Sequence, residues 1–281
     1  VIRRKTIEPR ADAAAEPRDG GVQSVGRALQ ILEILAEDDE GYRLSDLAVR
    51  AGLSTSTVHR LLTTLEKRRF VQFDRLESKW HVGAQSFAVG ATFTRRRNFV
   101  ALAIPYLRRL RDQSRETANL AVVDDESLMV LMRLDSREIM RSLTKVGGRL
   151  AMVASGMGKA VLATYSDDDV NAIIHRQGMP RLTEKSIIRA SDLFRELETI
   201  RRQGYAVDDE EARVGLRCIA AVVHDSCREP LAAISVSGLA SRLTEERVPV
   251  VGAMVRDIAA ELTAALGGAA SVDTPTKCQP D

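Results

Sequence analysis

Ser235 and Ser237, two positions apart in the stretch 232–238, carry the hydroxyls best placed to hold a small polar ligand. If that stretch is extended, alternation sets both on one face and Ile234 and Val236 on the other. The same rule applied to 216–220 groups Leu216, Cys218 and Ala220. Two hydroxyls and a thiol on small side chains could line one concave face and leave room beside it. Taken alone, the serines would read as a solvent-facing pair.

Two further segments carry candidate chemistry. Residues 154–160 read Ala-Ser-Gly-Met-Gly-Lys-Ala. A helix opened by Gly156 and Met157 offers backbone N–H groups and a positive dipole end to an anion. A plain helix cap accounts for the same residues. A phosphate-cradling loop would need Gly at position 153 and Ser or Thr at 160; Val153 and Ala160 stand there instead. The acidic run at 208–211 follows a strand-like segment. Such runs are ordinarily solvated turns, but one member could turn inward to receive a ligand hydroxyl. No nucleophile, base and acid fall together: Cys218 has only the scattered His175 and His224 as partners. Catalysis is not expected. The four histidines lie far apart and none is near a cysteine pair, so neither a metal nor a cofactor is expected.

A different set could hold a polyanion. From position 43 to 81 eight basic residues face four acidic ones, in a chain whose net charge is only +2. A helix opening near Leu53-Ser54 buries Val58, Leu61, Leu62 and Leu65 by spacing, which turns Ser56, His59, Arg60 and Thr63 outward. A shorter helix, with Ser45 as its expected N-cap, precedes it and ends near Gly52. The two read as a helix-turn-helix. Strands at 70–73 and 79–82 around a polar turn add a wing. The expected DNA-facing set is Arg43, Ser45, Thr55, Ser56, Thr57, His59, Arg60 and Thr63, with Arg75 and Lys79 on the wing and a basic tract at 95–97. Lys and Arg on phosphates supply most sequence-independent affinity, and base edges supply the choice. A merely solvated charged surface is the competing reading.

These groups need elements to position them. A chain of 281 residues, 44% hydrophobic and 28% charged, fits two globular domains. Its apolar runs are too short to cross a membrane, no signal peptide is visible, and three cysteines suggest a reducing, cytoplasmic setting. Residues 1–21 and 268–281 read as disordered tails. Residues 22–83 form the winged helix-turn-helix. Its first helix has one apolar edge at Val25, Ala28, Leu29, Leu32 and Leu35 and a second at Ile31 and Ile34, which suits either a partner surface or a helix central to its own core. Residues 84–98 read as a helical linker. Residues 99–267 read as an α+β domain with a mainly antiparallel sheet: strands at 119–123 and 127–134 around a tight turn, strands at 217–223 and 231–236, and helices near 155, over 191–202 and through Val251, Val255, Ile258 and Leu262.

Over about 22–266 the chain resembles the IclR-type bacterial transcriptional regulators. The likeness is carried by residues 24–32 and 53–62, and more specifically by 204–211 (Gly-Tyr-Ala-Val-Asp-Asp-Glu-Glu), 215–221 (Gly-Leu-Arg-Cys-Ile-Ala-Ala) and 233–238 (Ala-Ile-Ser-Val-Ser-Gly). The resemblance implies a winged helix-turn-helix, a helical linker and a GAF-like α/β effector-binding domain, assembled as a homodimer or homotetramer on operator DNA. It also implies an effector pocket at Gly156, Met157, Leu216, Cys218, Ser235 and Ser237, with Asp208 as a pocket acid. The family often has Pro and His before the Gly-Lys helix; this chain has Arg149-Leu150-Ala151-Met152. Some relatives bind zinc in this domain, and no clustered ligands carry that over. The resulting expectation is a regulator of a carbon-catabolism operon, answering to a small 2-oxo carboxylate, glyoxylate before pyruvate. The alternatives are an aromatic-acid-responsive member and a GAF-like enzyme acting through Cys218.

Overall fold

The computed structural model describes residues 22–96, 99–136 and 145–268, with side chains omitted at 94–96. The expected tails, Gly268 apart, and the basic side chains at 95–97 lie outside the described residues. The described chain forms two compact units that divide between Arg95 and Arg96.

The first unit comprises α1 (Gln23–Ala36), α2 (Leu44–Ala51), α3 (Thr55–Lys67), β1 (Val71–Asp74), β2 (Lys79–Val82) and α4 (Ala84–Arg96). Ile31, Leu35, Leu47, Val58, Leu62, Val71 and Trp80 form its core. On α1 the Ile31–Ile34 edge is the buried one, while Val25 and Leu29 stay 55% and 53% exposed. The more regular stripe is therefore split: its start is exposed, while Leu35 is buried and Leu32 packs against the core. Gly52 ends α2 at a φ of +63°, its N–H reaching the Ala48 and Val49 carbonyls, and so makes the tight turn. Ser54 then caps α3 by accepting from the Thr57 N–H at 3.3 Å. Ser45 is not the N-cap of α2. Arg43 holds that position without a side-chain bond, and Ser45 is the second helical residue, donating to Asp46 at 3.2 Å. β1 and β2 pair antiparallel with Phe73 opposite Trp80, their rings 4.9 Å apart. Trp80 also exchanges backbone hydrogen bonds with Tyr42, tying the wing to the loop before α2. The start of α4 is fastened to the same unit, since the Gln85 N–H donates to the Arg69 carbonyl and the Ser86 hydroxyl to the Phe70 carbonyl.

The second unit comprises α5 (Phe99–Ser114), β3 (Thr117–Asp124), β4 (Ser127–Leu134), β5 (Arg149–Ala151), α6 (Gly156–Leu162), α7 (Asp167–Gln177), α8 (Ala190–Gln203), β6 (Ala206–Asp209), β7 (Leu216–His224), β8 (Pro230–Leu239) and α9 (Val248–Ala265). The strands form one antiparallel sheet in the order β5-β4-β3-β8-β7-β6. α5 and α9 cover one face; α6 packs on the other with α8 outside it. The α+β expectation holds. β5 and α7 are the additions: α7 buries only Val170 and Ile173, so its periodicity is faint, although Ser166 and three following aspartates mark its start.

Alternation makes the two sheet faces chemically different. The face toward α5 and α9 carries Leu120, Val122, Ile219, Val223, Ile234 and Val236. The face toward α6 carries Ala121, Ala206, Ala220, Ala233, Cys218, Ser235 and Ser237. Small side chains let α6 approach closely. A Cβ on Gly158 would stand 2.1 Å from the Met152 carbonyl oxygen, and one on Gly156 would stand 3.1 Å from that of Cys218. The four alanines are buried under the helix, whereas Cys218, Ser235 and Ser237 border the cavity beyond its opening turn.

Candidate functional site

The first unit presents a continuous polar face on α3. Thr55, Ser56, His59 and Arg60 are exposed; Thr57 and Thr63 are half-buried. His59 and Thr63 line a groove closed on the wing side by Phe73, Arg75, Ser78 and Trp80. On the opposite flank His59, Arg60 and Thr64 line a second concavity with Ser24 and Arg27 of α1. Arg43, at the start of α2, and Arg75, at the wing turn, are exposed.

Not every hydroxyl and cation in the expected set is uncommitted. The Ser56 and Thr57 hydroxyls lie 3.1 and 2.8 Å from Ser54 Oγ, and Thr63 donates to the His59 carbonyl at 2.8 Å. Lys79 is three-quarters covered and pairs with Glu77 at 3.1 Å and Glu40 at 4.0 Å. Arg50, part of the basic count, pairs with Glu37 and stacks on Tyr42. Ser24 and Arg27 are additions to the expected set. The amphipathic pattern of α1 masks them, because they reach the α3 face only through the crossing of two helices.

In the second unit all seven nominated effector residues line one cavity of about 640 Å³. β6, β7 and β8 set Asp208, Cys218 and Ser237 in one row across the sheet. The neighbouring row contains Ala220, Ser235 and Asn119. Gly156 and Met157 of α6 close the row end, and their N–H groups have no acceptor among the described residues. Ser155 supplies the helix cap, accepting from the Gly158 N–H at 3.0 Å. Leu150 stands in the wall. Exposed Leu182, Arg213 and Val214 lie at the mouth. Ser235 has no solvent exposure, which removes the reading of a solvent-facing serine pair.

Asn119 is the main residue that strand alternation in a single segment did not single out. It is 1% exposed, and its amide nitrogen donates to Ser235 Oγ at 3.3 Å and Ser237 Oγ at 3.2 Å. It sits on β3, far away in sequence, and only the β3–β8 register brings it there. Arg213 is a cation at the cavity rim that the sequence did not mark. Arg217 turns from Cys218 to bond Asp209 and the Leu243 carbonyl.

Lys159 has no solvent exposure. Its ammonium donates to the Val207 carbonyl at 2.7 Å and Glu211 Oε1 at 2.5 Å, with Glu196 at 3.4 Å. Three residues before Glu211, Asp208 Oδ1 accepts from the Glu211 and Ala212 N–H groups. The acidic run is therefore not a plain solvated turn. Asp208 and Glu211 point inward, whereas Asp209 and Glu210 pair with the exposed Lys185. Burial pushes the carboxyl of Asp208 above its ordinary range, against the Ala212 N–H and the Lys159 charge. Burial likewise raises Glu211, against the same lysine. Burial and the Asp208 charge push the Cys218 thiol up to about 11, against hydrogen bonds from Ser237 and Ser235. A thiol held protonated is a poor nucleophile, and neither His175 nor His224 lines the cavity.

A winged helix-turn-helix joined to an α/β domain that holds an open cavity is the architecture of a DNA-binding transcriptional regulator. The helix-turn-helix domain model of IclR matches residues 24–75, and the model of the bacterial transcriptional regulator IclR C-terminal domain matches 91–264. The chain belongs to the IclR family. It is 43% identical over 257 residues to the transcriptional repressor IclR of Escherichia coli, covering 91% of this chain and 94% of that one. It is 42% identical over 258 residues to the acetate operon repressor of Salmonella typhimurium, with the same coverage. The crystal structure of the Thermotoga maritima IclR matches with a TM-score of 0.72 at 24% identity, over 87% of this chain and 98% of that one. These relatives are regulators, not enzymes. Among the described residues no helix is long and apolar enough to cross a membrane.

Proposed function

We propose that this regulator binds operator DNA as a homodimer or homotetramer and that a small 2-oxo carboxylate in the second-unit cavity modulates that binding. Glyoxylate is the first choice and pyruvate the second. The observation that carries the reading is the cavity floor: two seryl hydroxyls, a protonated thiol and unpartnered N–H groups at Gly156 and Met157, beside a carboxyl whose charge is disfavoured. Hydrogen bonds from such donors to an anion are the strong kind. The likeness to an acetate operon repressor supports control of a carbon-catabolism operon that handles acids of this size.

A larger acid is the second reading, favoured by one dimension. A cavity of about 640 Å³ exceeds what a two-carbon acid fills, and Leu150, Leu182 and Val214 offer an apolar side to an aromatic ring. The same anion-binding floor would serve either ligand.

On the DNA side, Arg60, His59 and Ser56 of α3 would face the major groove, with Arg75 and Arg43 on phosphates or the minor groove. Fluorescence anisotropy of the chain on its own upstream DNA, titrated with glyoxylate, pyruvate and benzoate in turn, tests the whole reading. A shift in operator affinity with one acid at submillimolar concentration is expected. Indifference to all three would contradict it.

A further inference from the structure

We propose that Asn119 makes the cavity selective for acids bearing a hydrogen-bond donor beside the carboxylate: an α-hydroxyl, or the gem-diol of a hydrated aldehyde. This deepens the carboxylate reading above and rests on it.

The observation is an orphaned acceptor. Asn119 lines the cavity and is 1% exposed, yet its Oδ1 has no partner among the described residues. Its amide carries two hydrogens, and the oxygens of Ser235 and Ser237 receive them. The opposite amide orientation would strand two donors in place of one acceptor, so the observed one matches the groups better. Buried polar groups without partners are uncommon and costly. A ligand that brings a donor to Oδ1 removes that cost; a ligand that brings only acceptors leaves it.

The same geometry divides the labour on the cavity floor. Each serine accepts from Asn119, and its own proton, within reach of the Cys218 sulfur, is available to a ligand acceptor. The ligand carboxylate takes those protons, and an adjacent hydroxyl returns one to Asn119. Glyoxylate in water is mainly the gem-diol, which has both groups on neighbouring carbons. Glycolate has them too. Pyruvate is mainly the ketone, and acetate has no second polar group.

Calorimetric titration of the full chain with glyoxylate, glycolate, pyruvate and acetate tests this. Glyoxylate and glycolate should bind about tenfold or more tighter than acetate and pyruvate, the size expected for satisfying a buried acceptor. In Asn119→Leu the preference should collapse toward unity. The wild-type series is informative even if that variant fails to fold. Acetate and pyruvate binding as tightly as glycolate would overturn the proposal and leave the carboxylate reading standing. A preference that persists in folded Asn119→Leu would remove Asn119 from the role. Failure of every acid to bind would overturn both. Glycolate without glyoxylate, or the reverse, identifies whether the hydroxyl or the hydrate is the form taken.

Discussion

The ammonium of Lys159, with no solvent exposure, donates to Glu211 Oε1 at 2.5 Å, and that glutamate gives its own N–H to Asp208. A helix facing one side of the cavity is thus bolted to the loop forming the other. Gly156 lets the helix start lie against Asp208 and Cys218, and Gly158 lets it lie against the Met152 backbone.

Lys159→Met should destabilise the second unit by about 3–5 kcal/mol, because it strands Glu211 in the interior without its cation. Glu211→Leu added to it should recover part of the loss, since two apolar groups replace a buried pair. Urea unfolding of wild type and the two variants measures this. A double variant no more stable than Lys159→Met would show that the ion pair does not carry the effect.

Acid should tighten anion binding through Asp208. Its folded pKa is raised by burial, so the neutral form is favoured below that raised value and lost as pH rises through it. Lys159, Asp209 and Cys218 face the same carboxyl, and of these only Lys159 favours its charge. A bound carboxylate would raise the pKa further and draw in a proton. Glyoxylate titrations in buffers of different ionisation enthalpy should detect proton uptake in wild type and none in Asp208→Asn. Equal proton uptake in both would assign it elsewhere.

On DNA, Arg60→Ala should weaken operator binding by about 1–3 kcal/mol if the guanidinium reads a base bidentately. Equal loss on random DNA would make it a phosphate contact. Arg75→Ala should lower the salt slope by about one ion, whereas Lys79→Ala should lower it less, because Lys79 is already paired with Glu77 and Glu40. A larger drop for Lys79 than for Arg75 would contradict that ordering.

Assembly should be at least dimeric, since operators for such motifs place half-sites about 34 Å or a multiple apart. The exposed Val25 and Leu29 edge of α1 is the expected contact in the first unit. Light scattering at micromolar concentration checks this, and a monomer would contradict it.

Much of this was legible in the sequence because it is local. Alternation on β8 put Ser235 and Ser237 together, and alternation on β7 grouped Leu216 with Cys218; each needs only one strand's period. The turn at Gly52 and the cap at Ser54 are likewise local. What the sequence hid depends on register or crossing. Asn119 reaches the serines only because β3 pairs with β8 across more than a hundred residues. Ser45 fitted the composition of an N-cap, but the cap lies two residues earlier, at Arg43, whose carbonyl accepts the Asp46 and Leu47 N–H groups. On α1 two apolar edges competed, and the core takes Ile31 and Ile34 from the shorter one and Leu35 from the end of the longer one, in one cluster with Leu47 and Val58. Lys159 was unremarkable as a letter; its burial against Glu211 and the Val207 carbonyl follows from the packing of α6 on the sheet.

The most direct test of the account is calorimetric titration of glyoxylate into wild type and into Ser235→Ala/Ser237→Ala, with operator affinity measured on both in the absence of ligand. The account predicts weaker ligand binding by roughly 1–3 kcal/mol in the double variant, the loss of hydrogen bonds to a charged group, with operator affinity barely changed. A double variant that binds glyoxylate as wild type does, or a wild type that binds neither glyoxylate nor pyruvate below millimolar concentration, would contradict it.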